Sequence, residues 1–303
     1  MIYTVTFSPA IDYVVDLDKF GMKEINRTVK EQSMPGGKGI NVSIVLANLG
    51  RSSIATGFLG GYTGRYIKEE LEKRNIISDF INVEGDTRIN VKIRCNGETA
   101  INGQGPNITD SQIEELIEKL ENMQERDLLV ISGAIPSKLP DDIYEQILKR
   151  ISKNKVRLVV DTTKDILLNT LKYNPILVKP NKEELEEMFN VKIENRDQLI
   201  SYAYKLVEMG AQNVIVSLGK EGALLLGKDV APIVRQAPGY DRKVVNTVGA
   251  GDSLVAGFID EYEASKDVVK AFYKGMATGS ATALSEWLAT KEEVLELLKE
   301  MDN

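Results

Sequence analysis

The chain has 303 residues, 43% of them apolar and 27% charged, the balance of a soluble globule with room for one large α/β domain or a domain with an appendage. Its net charge of −7 argues against a nucleic-acid surface, which needs clustered lysine and arginine. One cysteine, Cys95, and no histidine rule out internal disulfides, cysteine-based zinc sites, Ser-His-Asp and Cys-His catalysis and HExxH metal sites, so proton transfer falls to Asp, Glu, Lys or Tyr.

Residues 2–7 are a β-branched and aromatic run that stops at Ser8-Pro9, which predicts a buried first strand. The run carries no basic leader, and no apolar stretch reaches membrane-spanning length, so a cytoplasmic protein without membrane partners is expected. Segments 10–17 and about 26–31 alternate apolar and polar side chains, as half-exposed strands do, unlike the continuous apolar strands of a covered parallel sheet. A glycine-rich stretch at 34–41 leads into the helical pattern Val42, Val45, Leu46, Leu49, closed by Gly50. A strand at 54–59, a glycine turn and a helix over 62–73 follow. Residues 88–94 alternate again, and Asn96-Gly97 offers a hairpin turn into 98–101. These four alternating segments predict one small sheet, built from two excursions at about 11–34 and 86–103, rising from a single domain that spans 1–303.

From residue 111 the order is regular. Helices are expected at 111–121, 141–151, near 165–171, 182–188 and 198–209, with strands at 128–132, 156–161, 176–178 and 213–217. Such alternation predicts a parallel sheet with helices on both faces. Segments 223–226 and 233–235 suggest an antiparallel continuation, and helices at 254–261, 268–284 and 292–301 close the chain.

Two stretches carry chemistry. In Asn246-Thr247-Val248-Gly249-Ala250-Gly251-Asp252-Ser253, small residues open a buried helix, so backbone amides and a positive helix end can meet an anion. A carboxylate, Asp252, sits where a phosphate would bind. Asp252 is either the general base of a phosphoryl transfer or a helix-start acid favoured by the dipole; the octapeptide alone does not separate these. In Gly36-Gly37-Lys38-Gly39-Ile40-Asn41, three glycines around a lysine let backbone and ammonium approach one polar group. The competing reading is a flexible glycine loop. It is no Walker A motif, because Gly39 follows Lys38 and the four-residue spacer is missing, and no GxGxxG occurs.

Together, Gly36-Gly37-Lys38-Gly39 and Gly249-Ala250-Gly251-Asp252 resemble the two signatures of the ribokinase-like (PfkB) sugar kinases, and the likeness covers the whole chain. Pro9-Ala10-Ile11-Asp12, Pro35 to Asn41 and Thr87-Arg88-Ile89-Asn90-Val91-Lys92 resemble most the branch of bacterial 1-phosphofructokinases, with tagatose-6-phosphate kinases close by. The resemblance implies a three-layer α/β/α domain with a mostly parallel central sheet and a small β-sheet lid. It implies ATP and Mg²⁺, a sugar-phosphate substrate, most simply fructose 1-phosphate going to fructose 1,6-bisphosphate, and a homodimer formed through the lid sheets.

It also implies roles. Asp12 would bind sugar hydroxyls, with Gly36, Gly37 and Asn41 lining the same sugar. Arg88, Lys38 and Arg27 would clamp the resident phosphate. Asp252 would be the base, with Gly249, Ala250 and Gly251 holding the transferring group. Asn181 and Glu184, an NxxE pair, would organise the magnesium–phosphate region through water, with Lys179 near the phosphates. Ser217, Gly219, Thr247, Gly249 and Gly251 would contact the nucleotide, and Gly279 and Ser280 would flank adenine. The chain departs from the family at Ser8, where Asn is usual, at Ala134 within Ser132-Gly133-Ala134-Ile135-Pro136, and at Asn246, where Asp is frequent. Tagatose 6-phosphate as substrate or a broad sugar-phosphate kinase, a sugar-phosphate sensor without turnover and a Rossmann-type dehydrogenase are the other readings; the missing GxGxxG weighs against the last.

Overall fold

In the computed structural model, which describes residues 1–136 and 139–301, the first strand, β1 (Ile2–Thr6), lies inside the larger of two sheets. The chain leaves it for β2 (Ala10–Asp16) and β3 (Lys30–Gly36), then returns through α1 (Lys38–Asn48), β4 (Ile54–Gly60) and α2 (Gly61–Glu72). Two short strands, β5 (Ile77–Ser78) and β6 (Ile81–Val83), pair with β4, and β7 (Arg88–Arg94) and β8 (Glu98–Asn102) form the second excursion. The regular part comprises α3 (Asp110–Glu121), β9 (Leu128–Ser132), α4 (Ile143–Ile151), β10 (Arg157–Asp161), α5 (Lys164–Thr170), β11 (Leu177–Val178), α6 (Lys182–Phe189), α7 (Arg196–Glu208) and β12 (Asn213–Ser217). Then come β13 (Ala223–Gly227), β14 (Ile233–Arg235), α8 (Ala250–Ser265), α9 (Val268–Leu284) and α10 (Lys291–Met301).

The large sheet runs β14-β13-β12-β11-β10-β9-β1-β4-β5 and is parallel except where β13 and β14 turn back. Its strands are apolar on both faces because both are covered. In β9, Leu128 and Val130 join the core under α1, α8 and α9, while Leu129 and Ile131 join the core under α3, α4 and α7. This is the expected three-layer arrangement.

The small sheet, ordered β3-β2-β7-β8, takes two strands from each excursion. Parallel pairing of β2 with β7 sets Asp12 opposite Asn90, and β3 pairs antiparallel so that Gly36 faces Ala10. Three sequence expectations are corrected here. The strand expected near 26–31 is β3, at Lys30–Gly36; Asn26 is instead engaged with the Gly21 backbone in a loop. β2 does not alternate in burial, because both of its faces are covered: Ala10, Asp12 and Val14 are buried on one and Ile11 and Val15 on the other. The helix expected from 254 begins at Ala250, since Gly249 supplies a left-handed start. Strands β5 and β6 were not expected; two and three residues are too short to show a period.

Candidate active site

The site assembles where the ends of β1, β10, β11 and β12 meet the starts of α1 and α8. Gly249 caps α8 with φ of +79°, a conformation that a side chain would strain, and the buried Asn246 side chain accepts from the Val248 amide at 3.0 Å. The Ala250 amide turns back to the Thr247 carbonyl at 3.4 Å, while helix geometry leaves the Gly251 and Asp252 amides without an i−4 partner inside the helix. Asp252, in the first turn, is only 5% exposed yet lines the main cavity.

Four side chains act on that carboxylate. Asn41 Nδ2 donates to Asp252 Oδ2 at 2.8 Å. Asp161, at the end of β10 and 1% exposed, pairs with Lys179 at 3.2 Å and with Lys38 at 3.4 Å. A Cβ added to Gly251 would lie 3.0 Å from Lys179 Nζ, which puts that ammonium against the first turn of α8. Burial and then the Asp161 charge push the Asp252 carboxyl up to about 6, against the opposing pull of Lys38, the Asn41 bond and Lys179. Burial also disfavours a charged Asp161, but Lys179 and Lys38 outweigh it and hold that carboxyl below its usual range. The same pairing keeps Lys38 protonated: burial works against its charge, and Asp161, Asp252 and Glu184 more than offset it.

A second polar group sits on the small sheet. Asp12 accepts from Asn90 Nδ2 at 2.9 Å and from Lys92 Nζ at 3.5 Å, all three buried. Gly36 is what makes room, since a Cβ there would fall 2.5 Å from Asp12 Oδ2. Asp12, Asn90 and Lys92 share one cavity of about 760 Å³ with Gly37, Lys38, Asn41, Asp161, Lys179 and Asp252. An adjoining, mostly apolar cleft of about 260 Å³ is walled by Gly219, Tyr240, Val244, Thr247, Met276, Gly279 and Ser280. Ser217 and Gly251 line both spaces, so one continuous trough joins them.

The expected residues fall into this frame unevenly. Asp12, Gly37, Lys38, Asn41, Arg88, Asn181, Glu184, Ser217, Gly249, Gly251 and Asp252 line the larger cavity; Gly219, Thr247, Ala250, Gly279 and Ser280 line the cleft. Arg27 does not join them: it is exposed on the loop before β3. Arg88 is half-buried, and its guanidinium already donates to the carbonyls of Ser8 (3.1 Å) and Gly103 (3.5 Å), bracing the small sheet against β1. Lys38 pairs with Asp161 and shares the cavity wall with Arg88. Asn181 and Glu184 face the cavity, but they are bonded to each other's backbone amides as a capping box on α6, at 2.7 and 2.8 Å. Ala134 lines the cavity and brings no side-chain donor.

Asp161, Asn90 and Lys92 were not anticipated as site residues. Asn90 and Lys92 had a signal, since they follow Arg88 at alternate positions of a strand and so share its face. Asp161 had one too, as an acid ending the apolar run Leu158-Val159-Val160.

The candidate site thus brings together a buried acid at a glycine-opened helix start, two lysines beside it and a polar cavity on a three-layer fold. The chain belongs to the pfkB family of carbohydrate kinases, whose family profile matches residues 3–293. It is 44% identical over 301 residues to a 1-phosphofructokinase of Bacillus subtilis (strain 168), covering 99% of this chain and 98% of that protein. It is 39% identical over 289 residues to a D-tagatose-1-phosphate kinase of Bacillus licheniformis, covering 95% and 94%. Among solved structures it resembles phosphofructokinase-2 from Escherichia coli in complex with substrates and products, with a TM-score of 0.94, 27% identity and coverage of 100% and 99%. Among the described residues no helix is long and apolar enough to cross a membrane.

Proposed function

We propose that this chain transfers the γ-phosphoryl group of ATP to the C6 hydroxyl of a ketohexose 1-phosphate, with fructose 1-phosphate as its substrate and fructose 1,6-bisphosphate as product. The observation that carries the reading is the buried Asp252, raised to about 6 and facing the cavity that also holds Asp12. A base is most effective near the working pH, and this one is still ionised at neutrality. As the sugar oxygen bonds to phosphorus, Asp252 takes its proton, the bond from the γ-phosphorus to the bridging oxygen breaks, and ADP leaves with that electron pair. Lys38, Lys179 and the Gly251 amide meet the charge on the moving group. The mostly apolar cleft beside Gly279 and Ser280 suits the adenine. The small sheet acts as a lid over the sugar, shutting water away from the transfer.

Among the described residues no cluster of three Asp, Glu, His or Cys could cage a metal, and the Glu184 carboxylate is partly committed to the Asn181 amide. That donor set fits Mg²⁺ carried by nucleotide phosphates and reached from Glu184 through water, where the ion would neutralise phosphate charge. The 44% and 39% relatives are both named for a ketohexose carrying phosphate on C1, which favours fructose 1-phosphate over tagatose 6-phosphate and keeps tagatose 1-phosphate as the second reading. ADP release measured with ATP and fructose 1-phosphate, fructose 6-phosphate, tagatose 1-phosphate, tagatose 6-phosphate and unphosphorylated fructose decides. Fructose 1-phosphate should give the highest kcat/KM. A higher value on any other sugar replaces it as the substrate, and no ADP release on any of them leaves a binding protein.

A further inference from the structure

We propose that Lys92 is the residue that makes this site require a phosphate on its sugar; the proposal rests on the sugar-phosphate kinase reading above. Arg88 is the more obvious cation by its strand position; its two terminal nitrogens already donate to the Ser8 and Gly103 carbonyls, while its Nε keeps no partner among the described residues, so Lys92 would act beside it. Lys92, two positions beyond Asn90 on the same face of β7, is 8% exposed and lines the cavity. An ammonium has three donors, and among the described residues this one makes a single long bond, 3.5 Å to Asp12 Oδ2. Across the sheet its partner on β8 is Ala100, which has no polar group to occupy the remaining donors and leaves space beside the ammonium. The acid next along that face, Glu98, also lines the cavity and is paired with Arg94 at 3.3 Å. Asp12 is shared with Asn90, which holds its other oxygen.

A buried cation with unused donors, facing a cavity and balanced by one carboxylate that also serves a polyol, is suited to a dianion. With a phosphate bound, the Asp12–Lys92 pair would sit in a group carrying net negative charge that the ammonium offsets. With a neutral sugar, Lys92 contributes only to holding Asp12. The residue therefore discriminates phosphorylated from unphosphorylated sugar, whereas the Asp161–Lys38–Lys179 group beside Asp252 acts on the nucleotide's phosphoryl group and is common to both.

The test compares wild type with Lys92→Met and Lys92→Gln. Fructose 1-phosphate and ATP Michaelis constants come from ADP release, and binding of fructose 1-phosphate and of fructose from calorimetry. The neutral variants should raise KM and Kd for fructose 1-phosphate about 10–100-fold, the size of a charge-assisted phosphate contact, with KM for ATP and kcat within about threefold. Fructose binding should change by less than about threefold, and Lys92→Arg should recover most of the phosphate preference. The ratio of the two sugar affinities is independent of how much protein is folded, so an unstable variant still reports. Equal losses for both sugars would make Lys92 a support for Asp12 and overturn the proposal, as would an unchanged KM for fructose 1-phosphate. A wild type that turns over a different sugar phosphate moves the comparison to that sugar and faults only the substrate assignment; a wild type that binds none faults both.

Discussion

Asn41 Nδ2 reaches Asp252 Oδ2 across 2.8 Å, and this one bond ties the glycine-rich start of α1 to the start of α8, 211 residues on. The two signature stretches are thus one structure, and Asn41, expected to line the sugar, is bonded to the proposed base. Replacing Asp252 with Asn removes the proton acceptor and leaves an amide oxygen for Asn41 to donate to. Turnover should fall about 10²–10⁴-fold while both Michaelis constants stay within a few-fold. Initial rates of ADP release check this, and a variant near wild-type turnover would remove Asp252 from the base role.

The raised Asp252 carboxyl sets two pH dependences of opposite sense. With Asp252 as the proposed base, turnover needs the carboxylate, so kcat/KM should fall tenfold per pH unit below about 6. Stability runs the other way. The folded chain holds this proton more tightly than the unfolded chain, whose value is 3.8, so the contribution of Asp252 to stability declines as pH rises from about 4 to about 6. Ionised at pH 7, it is a net cost to the fold, so Asp252→Asn should melt higher than wild type at that pH. Asp161→Asn removes a neighbouring negative charge and frees two ammonium groups, both of which favour an ionised Asp252, so the acid limb of the pH profile should move to lower pH. A limb that stays near 6 would mean that burial alone sets it.

What was legible in the chain follows from the range over which each signal acts. The layered fold could be read because a strand such as Leu128–Ser132 has no polar face, and only a sheet covered on both sides permits that. Gly249 and Asp252 could be read because a glycine-opened helix start is a local device. Lys38 and Lys179 were expected near phosphates, but the acid they share could not be read, because they meet at Asp161 only through the order of β1, β10 and β11 in the sheet. Arg88 shows the same limit: its strand face is visible in the sequence and it does line the cavity, while the carbonyls it also braces, Ser8 and Gly103, come from loops elsewhere. The pair Asn181 and Glu184 shows two functions overlaid, a capping box that any helix could use and a carboxylate turned toward the cavity.

Gly36 offers a steric test of the sugar end. Asp12 is held by Asn90 on one oxygen and Lys92 on the other, so it cannot step aside for a Cβ placed 2.5 Å away. Gly36→Ala should raise the Michaelis constant for the sugar phosphate at least about tenfold, since small displacements of positioning groups carry large penalties, and leave that for ATP nearly unchanged. A Gly36→Ala enzyme with wild-type sugar affinity would show that Asp12 does not contact substrate.

The outer face of the small sheet bears on assembly. Ile89 and Val91 point away from the side that carries Asn90 and Lys92, and Ile101 stands across from Val91 on β8, which is exposed along its whole length. Ile101 is 58% exposed, and Met22 and Ile25 in the loop before β3 are more so. An apolar face beside an open strand edge invites a second sheet, and we propose that two copies pair there as a homodimer. Light scattering at micromolar concentration should return twice the 33.6 kDa chain mass. Ile101→Lys, which sets a charge on that face without touching the cavity side, should weaken dimerisation about tenfold or more. A wild type that scatters as a monomer would leave those side chains to another role and the edge of β8 without a partner.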